Sequence, residues 1–259
     1  MKKRILYLGD IHGNFNLINQ YVKQHGLKDC VIIQVGDFGV GFATLEKERR
    51  MLGYVNPILE KNNIMLYAIR GNHDFKPYFD NDPFGFSNIK LLPDYTILDL
   101  EMDVLGLTET KRILCVGGAV SVDRNWRRTS KQLKGDYTVH PGQSWWNDEL
   151  FILDNDKLVD MKDIDIVVTH TSPDYCPIDN STGFGPFVEG IIRDTGDTEL
   201  KTDLLFERKQ LTDMFHTLRL NGNDITHHYY GHFHRSDTIT MYGIKHRLLG
   251  IGELWEERV

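Results

Sequence analysis

The chain has 259 residues, of which 41% are hydrophobic, and it carries a formal net charge of −7 at pH 7. A chain of this length and hydrophobic content can bury a sizeable core, and it contains no internal repeat, low-complexity tract or linker rich in Pro, Gly or Ser, so we expect a single domain over residues 1–259. The acidic balance argues against a general binder of long duplex nucleic acid or of a membrane surface, because such affinity comes mostly from clustered Lys and Arg.

The cysteines and the first residues favour a cytoplasmic protein. Cys30, Cys115 and Cys176 are odd in number and scattered, which is typical of reduced thiols rather than of a disulfide framework. The opening MKKRILYLGD has a basic start and an apolar run, but that run is too short for a signal peptide or a membrane span. We therefore expect this segment to be the first strand.

Apolar runs alternate with helical patterns along the chain, which is typical of βαβ units around a largely parallel sheet. The segments predicted to be strands are RILYLGD, CVIIQVGD, IMLYAIRGNHD, RILCVGGAV, DIVVTH and HHYYGHFH. Near the C-terminus, Gly243 separates two short β-like runs and predicts a hairpin.

Two helices are predicted from apolar residues at helical spacing. The first lies between the second and third predicted strands, with a kink at Pro57, and the second lies near the C-terminus. Their apolar positions are Leu45, Leu52, Val55 and Leu59 in the first helix, and Leu204, Leu211, Phe215 and Leu218 in the second.

Polar side chains follow the ends of several predicted strands. They are Asp10, His12, Asp37, Asn72, His73, Asp74, His170, His232 and His234. Because ligands in open α/β sheets bind at the carboxyl ends of strands, we expect these residues to converge. The i, i+2 spacing of Asp10 and His12 also places both side chains on one face of an extended backbone, and the same holds for His232 and His234.

These residue types suit metal ions. Carboxylate, imidazole and amide ligands favour borderline and hard divalent ions such as Mn²⁺, Fe²⁺ or Zn²⁺, whereas isolated cysteines do not indicate a thiolate site. A carboxylate can bridge two ions. With two ions about 3.5–4 Å apart, a bridging hydroxide can attack phosphorus while both cations absorb charge on the phosphoryl oxygens.

The sequence resembles the calcineurin-like metallophosphoesterase family, whose motifs run in the order D-x-H, GD, GNH[DE], H and GHxH. Here GDIHGN, GDFG, GNHD, VVTH and GHFH occur in that order, from Asp10 to His234. Any one motif is weakly specific, but the ordered set is strongly specific. The resemblance implies an α/β fold, a four-layer αββα sandwich of two mixed β-sheets flanked by helices.

The resemblance also implies two divalent metal ions, with Mn²⁺ preferred and Fe, Zn or Mg as alternatives. Asp37 resembles the ligand that bridges the ions. The other implied ligands are Asp10, His12 and His234 for the first ion, and Asn72, His170 and His232 for the second. His73 resembles the family's catalytic histidine, which stabilises the transition state or protonates the leaving oxygen, and Asp74 would orient it.

The implied activity is hydrolysis of phosphomonoesters or phosphodiesters, on a small or nucleotide-type substrate, by a metal-bridging hydroxide. One alternative is a serine/threonine-type phosphoprotein phosphatase, but Gly39 and Val40 stand where many relatives have an acidic residue or Asp-Arg-Gly. Another alternative is an inactive metal-binding scaffold of the same fold. Since all the implied ligands and His73 are present, the enzyme is favoured.

The segment GGAVSVDRNWRRTS is a candidate substrate contact. Arg124, Arg127 and Arg128 are interleaved with Trp126, and arginine forks suit phosphate oxygens while a tryptophan face suits a base. The alternative is a solvated basic loop pinned by a buried tryptophan. The glycine-rich GFGPFVEG that follows His170 also has two interpretations, a mobile lid or a plain surface loop.

Overall fold

Two β-sheets lie between layers of helices in the computed structural model, which describes residues 4–104, 107–129, 144–176 and 184–256. The strands are β1 (Arg4–Leu8), β2 (Cys30–Gln34), β3 (Met65–Ala68), β4 (Ile89–Leu91), β5 (Thr96–Val104), β6 (Leu107–Val116), β7 (Ile166–Thr169), β8 (His227–Tyr230), β9 (Asp237–Met241), β10 (Ile244–Leu248) and β11 (Leu254–Glu256). The helices are α1 (Asn16–Gln24), α2 (Leu45–Leu52), α3 (Asn56–Lys61), α4 (Lys76–Asp80), α5 (Arg124–Thr129), α6 (Asn155–Leu158), α7 (Phe184–Thr195) and α8 (Leu200–Leu220).

Both sheets are mixed, as expected. The first sheet has five strands in the order β11-β1-β2-β3-β4, all parallel except β11, which pairs antiparallel with β1. The second sheet has six strands in the order β5-β6-β7-β8-β10-β9. Its central pairs from β6 to β10 are parallel, and its two edge strands are antiparallel to their neighbours. The parallel strands of each sheet therefore end at a common edge.

Alternation along β1 divides its side chains between two cores. Leu6 and Leu8 belong to the core that packs against helices α1, α2 and α3. Ile5 and Tyr7 belong to the core between the two sheets, where the Tyr7 ring stacks on that of Tyr229 in β8 with ring centroids 3.5 Å apart. This alternation, with period two, is what a strand buried on both faces requires.

A third core covers the other face of the second sheet. Leu114 of β6 and Val167 of β7 pack there with Leu211 and Phe215 of α8. The layer order is therefore helices, first sheet, second sheet, helices, which confirms the predicted four-layer αββα sandwich. Within the described ranges, no helix combines the length and apolar character needed to cross a bilayer.

The predicted strands are confirmed as β1, β2, β3, β6, β7 and β8. The predicted hairpin is the antiparallel pair β9 and β10, with Tyr242 and Gly243 in the turn at φ 51° and 76°. Positive φ at both central residues matches the twist of the flanking strands.

Two helical predictions need correction. The helix predicted around Pro57 is two helices, because the N–H groups of Tyr54 and Val55 donate to the carbonyls three residues before them, in a turn that separates α2 from α3. Pro57 lies in the first turn of α3, where its missing N–H has no cost. The segment GFGPFVEG is not a plain surface loop from Phe184 onward, because it begins α7, whose Val188 packs against Leu200 and Leu204. Its interpretation as a lid stays a prediction. Gly183 lies outside the described residues.

Candidate metal centre

The predicted ligands lie in the loops that leave the carboxyl ends of the parallel strands. Asp10, Asp37 and Asn72 follow β1, β2 and β3 in the first sheet, and His170 and His232 follow β7 and β8 in the second. Backbone hydrogen bonds join these loops: the His12 N–H donates to the Asp37 carbonyl at 2.9 Å, and the Gly231 N–H donates to the His170 carbonyl at 3.1 Å. The two sheets thus contribute to one cluster, and the expected convergence is present.

Four of these side chains form a compact group. Potential ligand atoms of Asp10, His12, Asp37 and His234 all lie within 4.8 Å of one another. The Nε2 atom of His234 lies 3.1 Å from Nε2 of His12 and 3.4 Å from Oδ2 of Asp10. Both carboxylates are buried, whereas the two imidazoles are partly exposed. The group therefore opens to solvent on its imidazole side.

A second group adjoins the first through Asp37. Nε2 of the buried His170 lies 3.3 Å from Oδ1 of Asp37 and 3.0 Å from Oδ1 of Asn72. Its other ring nitrogen, Nδ1, donates to the carbonyl of Val35 at 2.8 Å, since a carbonyl can only accept. In its neutral form, which metal coordination requires, His170 would direct the lone pair of Nε2 toward the cluster. The ring of His232 lies beside it, with centroids 5.0 Å apart.

Several residues of this cluster have a strained backbone. Positive φ angles occur at His12 (45°), Asp37 (54°), His232 (70°) and His234 (53°), a region that non-glycine residues rarely adopt. Two glycines allow close approach: a Cβ on Gly71 would lie 2.1 Å from Oδ1 of Asp37. A Cβ on Gly231 would lie 2.2 Å from Oδ1 of Asp10. Strain of this kind is typical of functional sites.

The carboxylates differ in their electrostatic environments. Burial raises the pKa of the Asp10 carboxyl to about 8, and the nearby charge of Asp37 adds to the effect. Burial also opposes ionisation of Asp37, but the imidazoles of His170 and His73 outweigh it and lower the pKa of Asp37 well below its usual range. Burial would lower the pKa of His170, but Asp37 outweighs that and raises the pKa of His170 to about 9. The cluster therefore requires positive charge beside its acids.

His73 and Asp74 lie next to the cluster in different settings. The His73 backbone N–H donates to Oδ1 of Asp37 at 2.7 Å, and its ring lies edge-on to that of His12 with centroids 5.2 Å apart. Burial lowers the pKa of His73 to about 4. The buried Asp74 carboxylate accepts backbone N–H groups from Phe38, Gly39, Val40 and Gly71 at 2.7–3.1 Å. None of these donors belongs to the imidazole that Asp74 was expected to orient.

A second buried carboxylate, that of Glu48, holds the part of the loop after β2 that follows Val40. Glu48 accepts the N–H groups of Gly41, at 2.8 Å, and Ala43, at 3.0 Å. The side chain of Phe42 projects from this pinned loop with 38% of its surface exposed. Its ring lies nearly parallel to that of His73, with centroids 6.1 Å apart, and edge-on to the buried Trp146. Sequence analysis did not identify Phe42, because nothing in GDFGVGF distinguishes an aromatic residue at the site from one in the core.

The predicted substrate arginines have partners within the protein. Arg124 is buried, with its guanidinium 2.7 Å from Asp197 and 2.6 Å from Asp203. Arg127 is also buried and donates to Oδ1 of Asp123 at 2.9 Å, to the Ser144 carbonyl and to Oγ of Ser121. The guanidinium of Arg128 lies over the ring of Trp145, 4.8 Å from its centroid. Their role toward substrate stays a prediction. Trp126 is 65% exposed, so it is not a buried tryptophan that anchors a solvated loop, as the alternative interpretation expected.

Comparison with known proteins identifies one family. Residues 3–236 match the sequence profile of the calcineurin-like phosphoesterase family. No curated protein sequence gives a significant match.

Three solved structures illustrate how distant the structural likenesses are. The anchor in the inner membrane complex of Plasmodium is 17% identical, with a TM-score of 0.48, over 96% of this chain and 72% of that chain. A dimetal phosphatase from Danio rerio is 12% identical, with a TM-score of 0.48, over 96% of this chain and 88% of that chain. A phosphopantetheinyl hydrolase from Mycobacterium tuberculosis is 11% identical, with a TM-score of 0.48, over 97% and 90% of the two chains.

Proposed function

The chain belongs to the calcineurin-like phosphoesterase family, and on that premise we propose that it hydrolyses small or nucleotide-type phosphate esters with two divalent metal ions. Mn²⁺ is the ion that we propose, with Fe, Zn and Mg as alternatives, and both monoesters and diesters suit the site. We further propose that residues 1–259 act as one domain, because the two sheets would have to supply ligands to a single centre.

The position of Asp37 is the observation that carries the proposal. Its Oδ2 atom faces the first group, 3.8 Å from Nδ1 of His12, while its Oδ1 atom faces the second group, 3.3 Å from Nε2 of His170. One buried carboxylate that presents its two oxygens to two separate sets of donors is suited to bridging two cations. The buried position of Asp10, whose pKa is raised to about 8, is also relieved by a neighbouring cation.

The donor chemistry fits this assignment. Carboxylates, imidazoles and one amide oxygen suit borderline and hard divalent ions. We propose that Asp37 is shared between the ions. The remaining proposed ligands are Asp10, His12 and His234 for the first ion, and Asn72, His170 and His232 for the second.

The residues around the ions would have separate roles in hydrolysis. When bound, the ions would activate a water molecule as the nucleophile and offset negative charge on the phosphoryl oxygens. We propose that His73 donates a hydrogen bond or a proton to the ester oxygen that departs: its neutral form has one N–H for a hydrogen bond, and proton transfer would use the imidazolium form, which the negative charge of a bound phosphate favours. Asp74 would act indirectly, because its carboxylate fixes the backbone that carries Asp37 and the loop after it.

The ring of Phe42 supports a substrate with a flat leaving group. It is partly exposed beside His73 on a loop whose backbone amides are held by Glu48 and Asp74. A rigid aromatic face next to the departing oxygen can stack on a nucleobase or another ring without ordering a flexible segment. We propose that this contact favours aryl or nucleoside esters over small alkyl esters.

Metal content and turnover test the proposal together. Protein reconstituted with Mn²⁺ and desalted should contain two ions per chain by elemental analysis, and chelation should abolish hydrolysis of p-nitrophenyl phosphate or bis-p-nitrophenyl phosphate. Asp37→Asn should weaken binding of at least one ion and lower kcat by roughly 100-fold or more, because it removes negative charge between two cations. Asp224→Asn, at an exposed position, is the matched control. At most one ion in the wild type, or near-normal turnover in Asp37→Asn, contradicts the two-metal assignment.

A further inference from the structure

A chain of buried hydrogen bonds lies behind Asn72. Nδ2 of Asn72 donates to Oγ of Ser121 at 2.9 Å, and its Oδ1 atom lies 3.0 Å from Nε2 of His170. Asn72, Ser121 and His170 are all buried. An amide can present either its oxygen or its nitrogen to a site, and only the oxygen can coordinate a cation. What holds this amide in one orientation therefore decides whether it can be a ligand.

The hydroxyl of Ser121 can only accept from Asn72. A serine hydroxyl has one proton to donate, and this proton goes to Oε2 of Glu149 at 2.6 Å. The backbone N–H of Ser121 donates to the other oxygen of the same carboxylate at 2.8 Å. The two acceptor positions on Oγ are taken by Asn72 and by Nη2 of Arg127. If the Asn72 amide were flipped, its carbonyl oxygen would face Oγ of Ser121. That hydroxyl could not donate a hydrogen bond to it, because its proton is already donated to Glu149.

Arg127 compensates the charge of Glu149. Both side chains are buried, with 3% and 1% of their surfaces exposed, and Nη2 of Arg127 lies 3.9 Å from Oε2 of Glu149. A buried carboxylate without a cationic partner would take up a proton and could then donate to Ser121, which would free the serine proton to point elsewhere. Burial raises the pKa of Glu149 to about 7, and the charge of Arg127 together with the hydrogen bonds from Ser121 limits this rise, so both partners favour the ionised form that accepts the serine proton.

We propose that Ser121, Glu149 and Arg127 are positioning residues that lock the Asn72 amide with its oxygen toward the second metal ion. Residues Ser121 and Arg127 belong to GGAVSVDRNWRRTS, so part of this segment acts on the centre through Asn72. The inference rests on the proposed function, since it needs Asn72 to be a metal ligand.

Isothermal titration calorimetry, in which Mn²⁺ is added to protein that has been freed of metal by a chelator and then of the chelator, measures the affinity of each site. It tests the inference without any measurement of turnover. In Ser121→Ala the amide of Asn72 loses its acceptor in this network, and the affinity of one of the two sites, which we assign to the second ion, should fall by about 10-fold or more, as expected when a residue hydrogen-bonded to a metal ligand is removed. Affinity at the other site should stay within about 3-fold. Ser121→Thr, which restores a hydroxyl, should recover most of the loss if the chain accommodates its methyl group.

Ser87→Ala is a matched control. The Ser87 hydroxyl also accepts from an asparagine amide, Nδ2 of Asn56 at 3.2 Å, but this pair lies away from the centre and holds no proposed ligand. Its removal should leave both affinities unchanged. Glu149→Gln keeps the side-chain shape but brings its own N–H donors, so it should also weaken one site, and it serves if Ser121→Ala does not fold.

The outcomes separate this inference from the proposed function. If the wild type binds two ions and both Ser121→Ala and Glu149→Gln bind them with unchanged affinity, the network only stabilises the fold and the positioning role is wrong. If the wild type itself fails to bind two ions, the proposed function is wrong, and the positioning role is overturned with it because no second ion is there for Asn72 to bind. Equal weakening at both sites would also contradict a role specific to Asn72.

Discussion

His73 lies beside the proposed ligands, with its backbone N–H bound to Asp37 and its ring edge-on to His12. We expect His73→Ala to keep two ions and to slow alkyl or nucleoside esters by roughly 100-fold or more. The loss on p-nitrophenyl esters should be smaller, because p-nitrophenolate leaves as a stable anion and needs no proton. Metal content and kcat measured on the same samples check this. Loss of an ion would show that His73 is a ligand, and equal slowing of both ester types would make it an electrostatic stabiliser.

Phe42 provides a test of substrate class. We expect Phe42→Ala to lower kcat/KM for a nucleoside monophosphate by about 10-fold, chiefly through KM, and to leave glycerol phosphate within about 2-fold, because only the first has a ring to stack. Phe206→Ala, which removes a ring that is 63% exposed on α8, is the control. A uniform loss on both substrates would mean that Phe42 acts by supporting the loop and not by contacting the leaving group.

Site residues were predictable from the sequence where they follow a strand directly, but contacts between residues far apart along the chain were not. The residues expected to converge could be found because each follows a strand within a few positions. The partners of Arg124 could not, since Asp197 is 73 residues away along the chain. The contacts of Ser121 with Asn72 and Glu149 span 49 and 28 residues. A run of arginines in a sequence does not reveal which carboxylates will neutralise it.

At the scale of elements, Arg208 of α8 fixes the loop that follows His170. Its buried guanidinium donates to the carbonyls of Ser172, Pro173, Asp174 and Cys176. We expect Arg208→Met to lower the free energy of unfolding by about 2–4 kcal/mol, because the shape is nearly kept but several carbonyls lose their donor.

Urea unfolding of Arg208→Met and Lys209→Met measures this effect. Lys209 is the next residue on the same helix, and its ammonium pairs with Asp213 at the exposed surface, so its replacement should change the unfolding free energy by less than about 0.5 kcal/mol. If the two variants unfold alike, the loop after His170 does not depend on the guanidinium.

Element type was predictable where the apolar pattern is regular. Strands β2 and β7 are apolar runs that each end in one polar residue, Gln34 and Thr169, and both are buried along their whole length, as central parallel strands require. Strand β5 (TILDLEMDV) was not predicted, although its apolar and acidic residues alternate with the period of a half-buried strand and it pairs with β6 along its whole length. Helix α7 was missed because Gly and Pro at its start suggest a loop, and its apolar contacts with α8 override that preference.

At the scale of the whole molecule, a buried histidine pair makes folding stability depend on pH. Nδ1 of His228 lies 2.9 Å from Nδ1 of His246, and both rings are buried next to Phe215 of α8. Burial lowers the pKa of His246 to about 4, with Arg219 adding to the effect, and burial together with the charge of His246 lowers the pKa of His228 well below 6.5.

The unfolded chain therefore binds more protons than the folded protein below pH 6.5. The stability contributed by this pair is fully present above that pH and is lost as the pH falls toward 4, by roughly 2 kcal/mol for His246 between pH 7 and pH 5, and His228 changes stability in the same direction. We expect His246→Asn to reduce the slope of unfolding free energy against pH in chelated protein, measured by urea unfolding at pH 5, 6 and 7. His216→Asn, at an exposed position on α8, controls for the substitution itself. An unchanged slope in His246→Asn would assign the acid sensitivity to other groups.

The division of the centre between two sheets has a consequence for the biosynthesis of the protein. Asp10, Asp37 and Asn72 leave the ribosome long before His232 and His234, and β8 must pair with β7 before the last imidazoles reach the others. Of the proposed ligands, a nascent chain thus first presents Asp10, Asp37 and Asn72 with a single imidazole, that of His12, a mostly oxygen set that would favour hard ions such as Mg²⁺. The other proposed imidazole ligands, His170, His232 and His234, which would shift the preference toward borderline metals, arrive only with the completed second sheet. Selection among metals would then be made by the finished fold, after translation has passed the final motif.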